Sequence, residues 1–270
     1  LDEMGRFGQT LDSPGITFFS SVPSFWRMVL MASPKPRRPP HRVHIGSAPL
    51  AKELWRNISD WCGTTDVFNT YGMTETANWI SGGAFHDERS ADGYVGRPWG
   101  GQFKVWRDGG LHTSGAGEIA AKTPGQMIGF WGQPAKTAAV MHGEFMLTGD
   151  LGILDADQSL RLVGRTKNEI NVAGVKVLAE EVDMLLERHP SVVEACSFGI
   201  PDLIAGERVG AIVRVSDDTV DVASLVAWCS REARPDAVPA KVEIKDEIPK
   251  NDRGKISRQD VQKTMVAKWF

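Results

Sequence analysis

The chain has 270 residues, 41% of them hydrophobic and 24% charged, and 31 Lys and Arg stand against 34 Asp and Glu for a formal net charge of −3. That balance leaves no field of one sign to gather nucleic acid or an anionic membrane surface, so small molecules or proteins are the expected partners. No apolar run approaches the roughly 20 residues that span a bilayer. The opening LDEMGRFGQT lacks a signal-peptide pattern, and Cys62, Cys196 and Cys229 follow no metal or redox spacing. A cytoplasmic setting with reduced, buried thiols is expected. A first residue of Leu fits a processed product or one piece of a longer polypeptide.

In chain order, residues 1–92 read as alternating helix and strand. Pro23 suits a helix start in SVPSFWRMVLM, where Trp26, Val29 and Leu30 share one face. The basic, Pro-rich 34–42 is expected to be a solvated loop. A strand RVHIG and a helix PLAKELWRNISDWC follow, with Leu50, Leu54, Ile58 and Trp61 at helical spacing, and then a strand VFNTYG. Residues 93–163 hold fourteen of the 28 glycines between short β-favouring runs, which predicts a small twisted barrel or sheet. Within it TSGAGE, residues 113–118, lacks the Gly-Lys-Ser/Thr ending of a phosphate loop and reads as a hairpin turn. Residues 164–270 predict a compact α+β lobe. Its helices are AEEVDMLLERH, with Val182, Leu185 and Leu186 inward, and VASLVAWCSREAR; strands are expected near EACSFGI and RVGAIVRV. Alternation of Val209, Ala211, Val213 and Val215 predicts a half-buried strand. The six histidines form no ligand cluster, and His41 and His44 do not share a helical face.

The run NTYGMTETA, residues 69–77, combines an aromatic face, a tight backbone, a hydroxyl and a carboxylate at the end of a strand, where open α/β sheets bind ligands. Tyr71 can lie against a purine, Gly72 permits close backbone approach, Thr74 can donate to a phosphate oxygen, and Glu75 can hold a hard cation. TGDLG at 148–152, GRTKNEINVAGVKV at 164–177 and PKNDRGKISR at 249–258 follow in order. Together the four segments resemble the later motifs of the adenylate-forming superfamily, which unites acyl-CoA synthetases, peptide-synthetase adenylation domains and luciferases.

The resemblance implies a fold of mixed α/β and α+β type. Part of a large lobe, an α/β portion plus a small β-barrel, precedes a compact mobile α+β C-terminal domain, with a hinge near 165–168. It implies an AMP-forming acid–thiol ligase that uses ATP, Mg²⁺ and coenzyme A. A carboxylic acid is adenylated first, and a thiol then displaces AMP. Lys255 is similar to the family's mobile catalytic lysine, acting with Thr74 and with Glu75, the expected Mg²⁺ ligand. Asp150 matches the acceptor of both ribose hydroxyls, with a turn cap as the alternative. Arg165 matches a ribose or phosphate contact, or else an ion pair between lobes. Lys167 matches the hinge. Gly174 lies in the Gly-rich segment expected near the pantetheine. Gly46, Ser47, Ala48 and Pro49 resemble the small-residue turn that presents backbone to adenine, and Asn69, Tyr71 and Gly72 join the nucleotide-binding set. Asn78, Trp79 and Ile80 line the acyl pocket, or Trp79 is core.

Two departures touch the hinge: Asn168 replaces an often acidic residue, and Ala179 stands where proline is common. The family's Ser/Thr/Gly-rich phosphate loop has no match in this sequence, so an N-terminal complementing segment or subunit is expected. A carrier-protein phosphopantetheine remains an alternative acceptor to CoA, and a catalytically silent interaction module is the reading from a different class. The C-terminal KWF is no peroxisomal signal, and nothing selects for luciferase-like oxygenation.

Overall fold

The computed structural model describes residues 4–13, 15–217, 219–251 and 254–270. They form two compact units, Leu1–Val163 and Gly164–Phe270, each built on a mixed sheet. Among the described residues no helix is long and apolar enough to cross a membrane.

The first unit runs α1 (Phe7–Leu11), β1 (Phe18–Ser21), α2 (Pro23–Ala32), β2 (Arg42–Gly46), α3 (Lys52–Cys62), β3 (Val67–Met73) and β4 (Asn78–Ala84). It continues with β5 (Tyr94–Pro98), β6 (Gln102–Arg107), β7 (Gly110–His112), β8 (Gly115–Lys122), α4 (Pro134–Val140), β9 (Met141–His142), β10 (Phe145–Leu154) and β11 (Leu160–Arg165), whose last two residues belong to the second unit. Strands β1, β2 and β3 pair in parallel. The order then runs through β4, β5, β11, β10, β8, β6 and β7, with β9 on β10, so one hydrogen-bonded series of strands passes from residues 1–92 into 93–163.

Helix α2 begins at Pro23, whose missing N–H costs nothing in a first turn. It buries Trp26 and Val29, while the Pro-rich stretch after it forms a largely exposed loop. Leu50 packs ahead of α3, and Trp55, Ile58 and Trp61 carry that helix's inner face. The Trp55 indole donates to the Val67 carbonyl at 3.0 Å, pinning α3 to β3. Trp26, Trp55, Trp61 and Val67 share one apolar cluster, and full burial of a large apolar side chain is worth roughly 2 to 3 kcal/mol. Gly63 ends α3 in the left-handed region, φ 69°, where glycine avoids a Cβ clash.

Residues 113–118 are not a hairpin turn. Gly115–Glu118 open β8, and β7 and β8 lie on opposite sides of β6. The glycines here serve close approach: a Cβ on Gly117 would meet Val105 Cγ1 at 2.6 Å and the Trp106 carbonyl oxygen at 2.7 Å.

The second unit holds β12 (Glu169–Val172), β13 (Val175–Leu178), α5 (Ala179–Glu187), β14 (Val192–Asp202), β15 (Gly206–Val215), α6 (Val222–Glu232), β16 (Lys241–Ile244) and α7 (Arg258–Trp269). Its strand order is β13, β12, β15, β14, with β16 parallel on β15. Val209, Ala211 and Val213 face a core with α5 and α6, whereas Ile212 joins a second cluster with Val261 and Met265 of α7. Strand β15 is therefore buried on both faces from Val209 to Val213, not half-buried as alternation predicts. Helix α7, for which the sequence reading has no counterpart, covers the other face with Val261, Met265 and Trp269 at four-residue intervals.

Candidate active site

The parallel register sets Gly46, the last residue of β2, opposite Thr70, so the loops after β2 and β3 leave the sheet at the same end. The Thr70 hydroxyl donates to the Ile45 carbonyl at 3.0 Å. A Cβ on Gly46 would stand 2.7 Å from that hydroxyl and 3.6 Å from Trp79 Nε1, so the loop passes flat against β3 and the Trp79 ring. Ser47 takes φ 73°, and Ser47, Ala48 and Pro49 are exposed.

At the end of β3, Gly72 meets the return of the chain: a Cβ there would sit 2.0 Å from the Asn78 carbonyl oxygen. Between them Thr74–Thr76 form one 3₁₀ turn. The buried Thr76 hydroxyl fastens it, accepting from Met73 N–H at 3.2 Å and lying 3.0 Å from the carbonyl oxygens of Met73 and Asn78. Met127 N–H donates to the Glu75 carbonyl at 2.8 Å. Thr74 and Asn78 are left exposed, and Glu75 and Trp79 partly so. Thr76 is thus a structural fastener that the motif reading passed over; its signal was a second hydroxyl two residues after Thr74.

Asp150 sits in a strand rather than a turn. Strand β10 changes register against β8 between Leu147 and Leu151, and such bulges re-aim a side chain. Gly149, at φ 74°, donates to Glu118 Oε1 at 3.0 Å. The Thr148 hydroxyl donates to the Ile119 carbonyl at 2.9 Å and accepts from Asp150 N–H at 3.2 Å. So held, Asp150 accepts the Tyr71 hydroxyl at 2.7 Å, and the two are 8% and 7% exposed. The Tyr71 ring packs with Ile80, Val95 and Phe103. Asn69 points inward, donating to the Tyr94 carbonyl at 2.9 Å.

Arg165, Lys167, Gly174 and Lys255 belong to the second unit. Arg165 ends β11, and Lys167 is exposed on the 3₁₀ turn Thr166–Asn168. Gly174, φ 89°, forms with Ala173 the two-residue turn between β12 and β13. Lys255 lies on a loop closed by Asn251, whose side chain accepts Lys255 N–H at 3.1 Å and whose own N–H donates to the Lys255 carbonyl at 2.8 Å. Glu180, which is buried, and Asp183 and Arg258, which are half-buried, form an ionic cluster. Burial pushes the Glu180 carboxyl above its usual range, against the pull of Arg258 and Asn168.

Two further features escaped the motifs. His44 is 8% exposed, its ring 4.8 Å from Trp79 and 5.5 Å from Phe68, and its Nδ1 has no hydrogen-bond partner among the described residues. Burial, aided by Arg42, lowers its pKa. The signal was a histidine inside an apolar strand two residues before the GSAPL loop. A cavity of about 410 Å³ lined by Phe68, Gly82, Tyr94, Arg97 and Trp99, among others, contains none of the residues singled out from sequence. Asp157 bonds Arg89 and Arg97 beside it, and these hold its carboxyl well below the usual range.

The profile of the AMP-binding enzyme family matches residues 1–131, and that of the AMP-binding enzyme C-terminal domain matches residues 181–255. A probable CoA ligase, CCL9, of Humulus lupulus is 31% identical over 93% of this chain and 49% of its own length. An oxalate–CoA ligase of Arabidopsis thaliana is 30% identical over 99% of this chain and 54% of its own. The crystal structure of ATP-bound MatB from Rhodopseudomonas palustris superposes with a TM-score of 0.86 at 27% identity, over 99% of this chain and 54% of that one. The chain therefore spans about half the length of these relatives. With both profiles matched in order, the chain belongs to the AMP-binding enzyme family of the adenylate-forming superfamily.

Proposed function

We propose that this chain supplies the ribose-binding and mobile-lysine portions of an AMP-forming acid–thiol ligase that makes acyl-CoA. The observation that carries the reading is the buried Tyr71–Asp150 hydrogen bond, 2.7 Å, formed between two of the separate motifs. A carboxylate held by an aromatic hydroxyl on one side keeps acceptor capacity for paired ribose hydroxyls. The exposed turn of Ser47, Ala48 and Pro49 suits a planar base, and CoA-ligase relatives support the overall chemistry.

In the first half-reaction a carboxylate oxygen of the acid attacks the α-phosphorus of ATP and pyrophosphate leaves. Both reactants are anionic, so fixed donors must neutralise charge as it builds in the transition state. Thr74 and Glu75 offer hard oxygen donors at the open end of β3, a set that suits Mg²⁺, which binds through one or two carboxylates plus phosphate oxygens and water. Mg²⁺ would supply charge neutralisation there. Lys255 reaches the carboxylate and phosphate together, and the pyrophosphate cradle comes from a segment outside these 270 residues. In the second half-reaction the CoA sulfur attacks the acyl carbon and AMP leaves. The Gly174 turn lies along the pantetheine, with Lys167 at the hinge and Arg165 beside the ribose or phosphate. Asn78 and Trp79 border the acid.

The test uses the enzyme carrying its phosphate-loop segment. Lys255→Ala is expected to lower acid-dependent ATP–pyrophosphate exchange about 10²- to 10³-fold, while CoA acylation from a supplied acyl-adenylate persists. Equal loss in both assays, or none in exchange, refutes the assignment.

A further inference from the structure

Asn168 closes the turn that carries Lys167, and its side-chain amide donates to Glu180 Oε1. The backbone before that turn leans on the same carboxylate: a Cβ on Gly164 would lie 2.9 Å from Glu180 Oε2. The Oε1 that accepts Asn168 also lies 3.6 Å from Arg258 Nη2. Arg258 also bonds Asp183 Oδ2 at 2.7 Å and the Ser197 carbonyl, and its Nη1 is 4.0 Å from the Cys196 sulfur. Asp183 in turn accepts Ser197 N–H at 2.5 Å. Glu180 and Asp183 sit on one face of α5 three residues apart, and Arg258 is the first residue of α7, three beyond Lys255. The side chains of Glu180, Asp183 and Arg258 are 5%, 14% and 18% exposed.

We propose that Glu180 and Arg258 are positioning residues that bind the turn around Lys167 to the loop of Lys255, so that the lysine turns with the hinge as one body. The guanidinium is held by a hydrogen bond to half-buried Asp183, another to the Ser197 carbonyl and an ion pair with buried Glu180, which together constrain it more than a surface pair would. Between Arg258 and Lys255 lies less than one helical turn of chain, and the loop is already closed by Asn251. Little slack remains between the hinge turn and the Lys255 backbone. The inference rests on the reading of Lys255 as the adenylating lysine.

The experiment compares Asn168→Ala, Arg258→Lys and Lys255→Ala, and combines each of the first two with Lys255→Ala, in the enzyme carrying its phosphate-loop segment. Arg258→Lys keeps the charge but loses the fork, and Asn168→Ala removes only the hinge-side bond, so folding is retained in at least one of them. An ångström-scale misplacement can cost about 10²-fold. Each single variant is therefore expected to lower kcat of pyrophosphate exchange about 10- to 100-fold with KM for ATP within about twofold. In the Lys255→Ala background the further loss is expected to be under about twofold, because the group being positioned is gone. Losses that multiply in full with Lys255→Ala, or variants that lower Tm without lowering exchange, overturn the positioning role. Exchange unaffected by Lys255→Ala alone overturns the lysine assignment itself, and the positioning role with it.

Discussion

The Tyr71 hydroxyl meets Asp150 at 2.7 Å, while the Tyr71 ring packs with Ile80, Val95 and Phe103. Tyr71→Phe leaves the ring in place and removes the donor. The expected loss is about 1 kcal/mol of stability, the net worth of one hydrogen bond, read as a lower denaturant midpoint. If Asp150 receives the ribose, the same change weakens AMP binding about five- to tenfold, because the carboxylate is no longer oriented. Unchanged AMP affinity in a calorimetric titration would separate Asp150 from the ribose. The three cysteines are buried. Burial pushes Cys62 up to about 12 and Cys229 up to about 11, and it raises Cys196 as well. None of the three is poised as a thiolate nucleophile at neutral pH.

Among the elements, the β12–β13 hairpin carries a local conflict. Its two turn residues, Ala173 and Gly174, take φ of 50° and 89°, the pattern of a type I′ turn whose twist suits adjoining strands. Glycine tolerates that region, but the Ala173 Cβ is strained there by roughly 1 kcal/mol. Asparagine is preferred at this position, so Ala173→Asn is expected to stabilise the second unit by about 0.5 to 1 kcal/mol and raise Tm by a few degrees. A drop in Tm would mean that the alanine methyl has a packing role that outweighs the strain. The turn of NTYGMTETA shows the opposite case, a constraint without strain: Gly72 is required because the returning strand passes through the space a side chain would need.

At the scale of the molecule, acid stability is tied to the packing of the last helix. Glu243 on β16 accepts Lys245 and Lys268 on Oε1, each at 2.6 Å, and the Trp269 indole on Oε2 at 2.9 Å. Burial alone raises its carboxyl; these donors more than offset that and hold it at about 2, against an ordinary 4.5. The unfolded chain therefore takes up this proton first as pH falls. The stabilisation is complete above about pH 4.5 and drains away toward pH 2. Glu243→Gln should lower stability at pH 7 by about 1 to 2 kcal/mol and flatten the slope of stability against pH between 4.5 and 2. An unchanged slope in acid titrations of the unfolding midpoint would exclude Glu243 as the group responsible.

Local rules sufficed for much of this protein. Pro23, the α3 periodicity and the β-branched runs name their elements directly, because a helix start, a 3.6-residue stripe and a strand are set by neighbours in the chain. The order of the motifs likewise pointed to the family before any coordinates. What neighbours cannot specify is what lies on the far side of an element. Val209–Val215 alternates like a half-exposed strand, yet α7 closes over its other face, because a helix more than forty residues on supplies the second apolar layer. The same holds for the chemistry. Tyr71 and Asp150 stand 79 residues apart and touch only because β3 and β10 join one sheet. The cluster of Asn168, Glu180 and Arg258 exists only where a turn and two helix starts converge, since hydrogen bonds and ion pairs are satisfied in space and leave no fixed spacing in sequence.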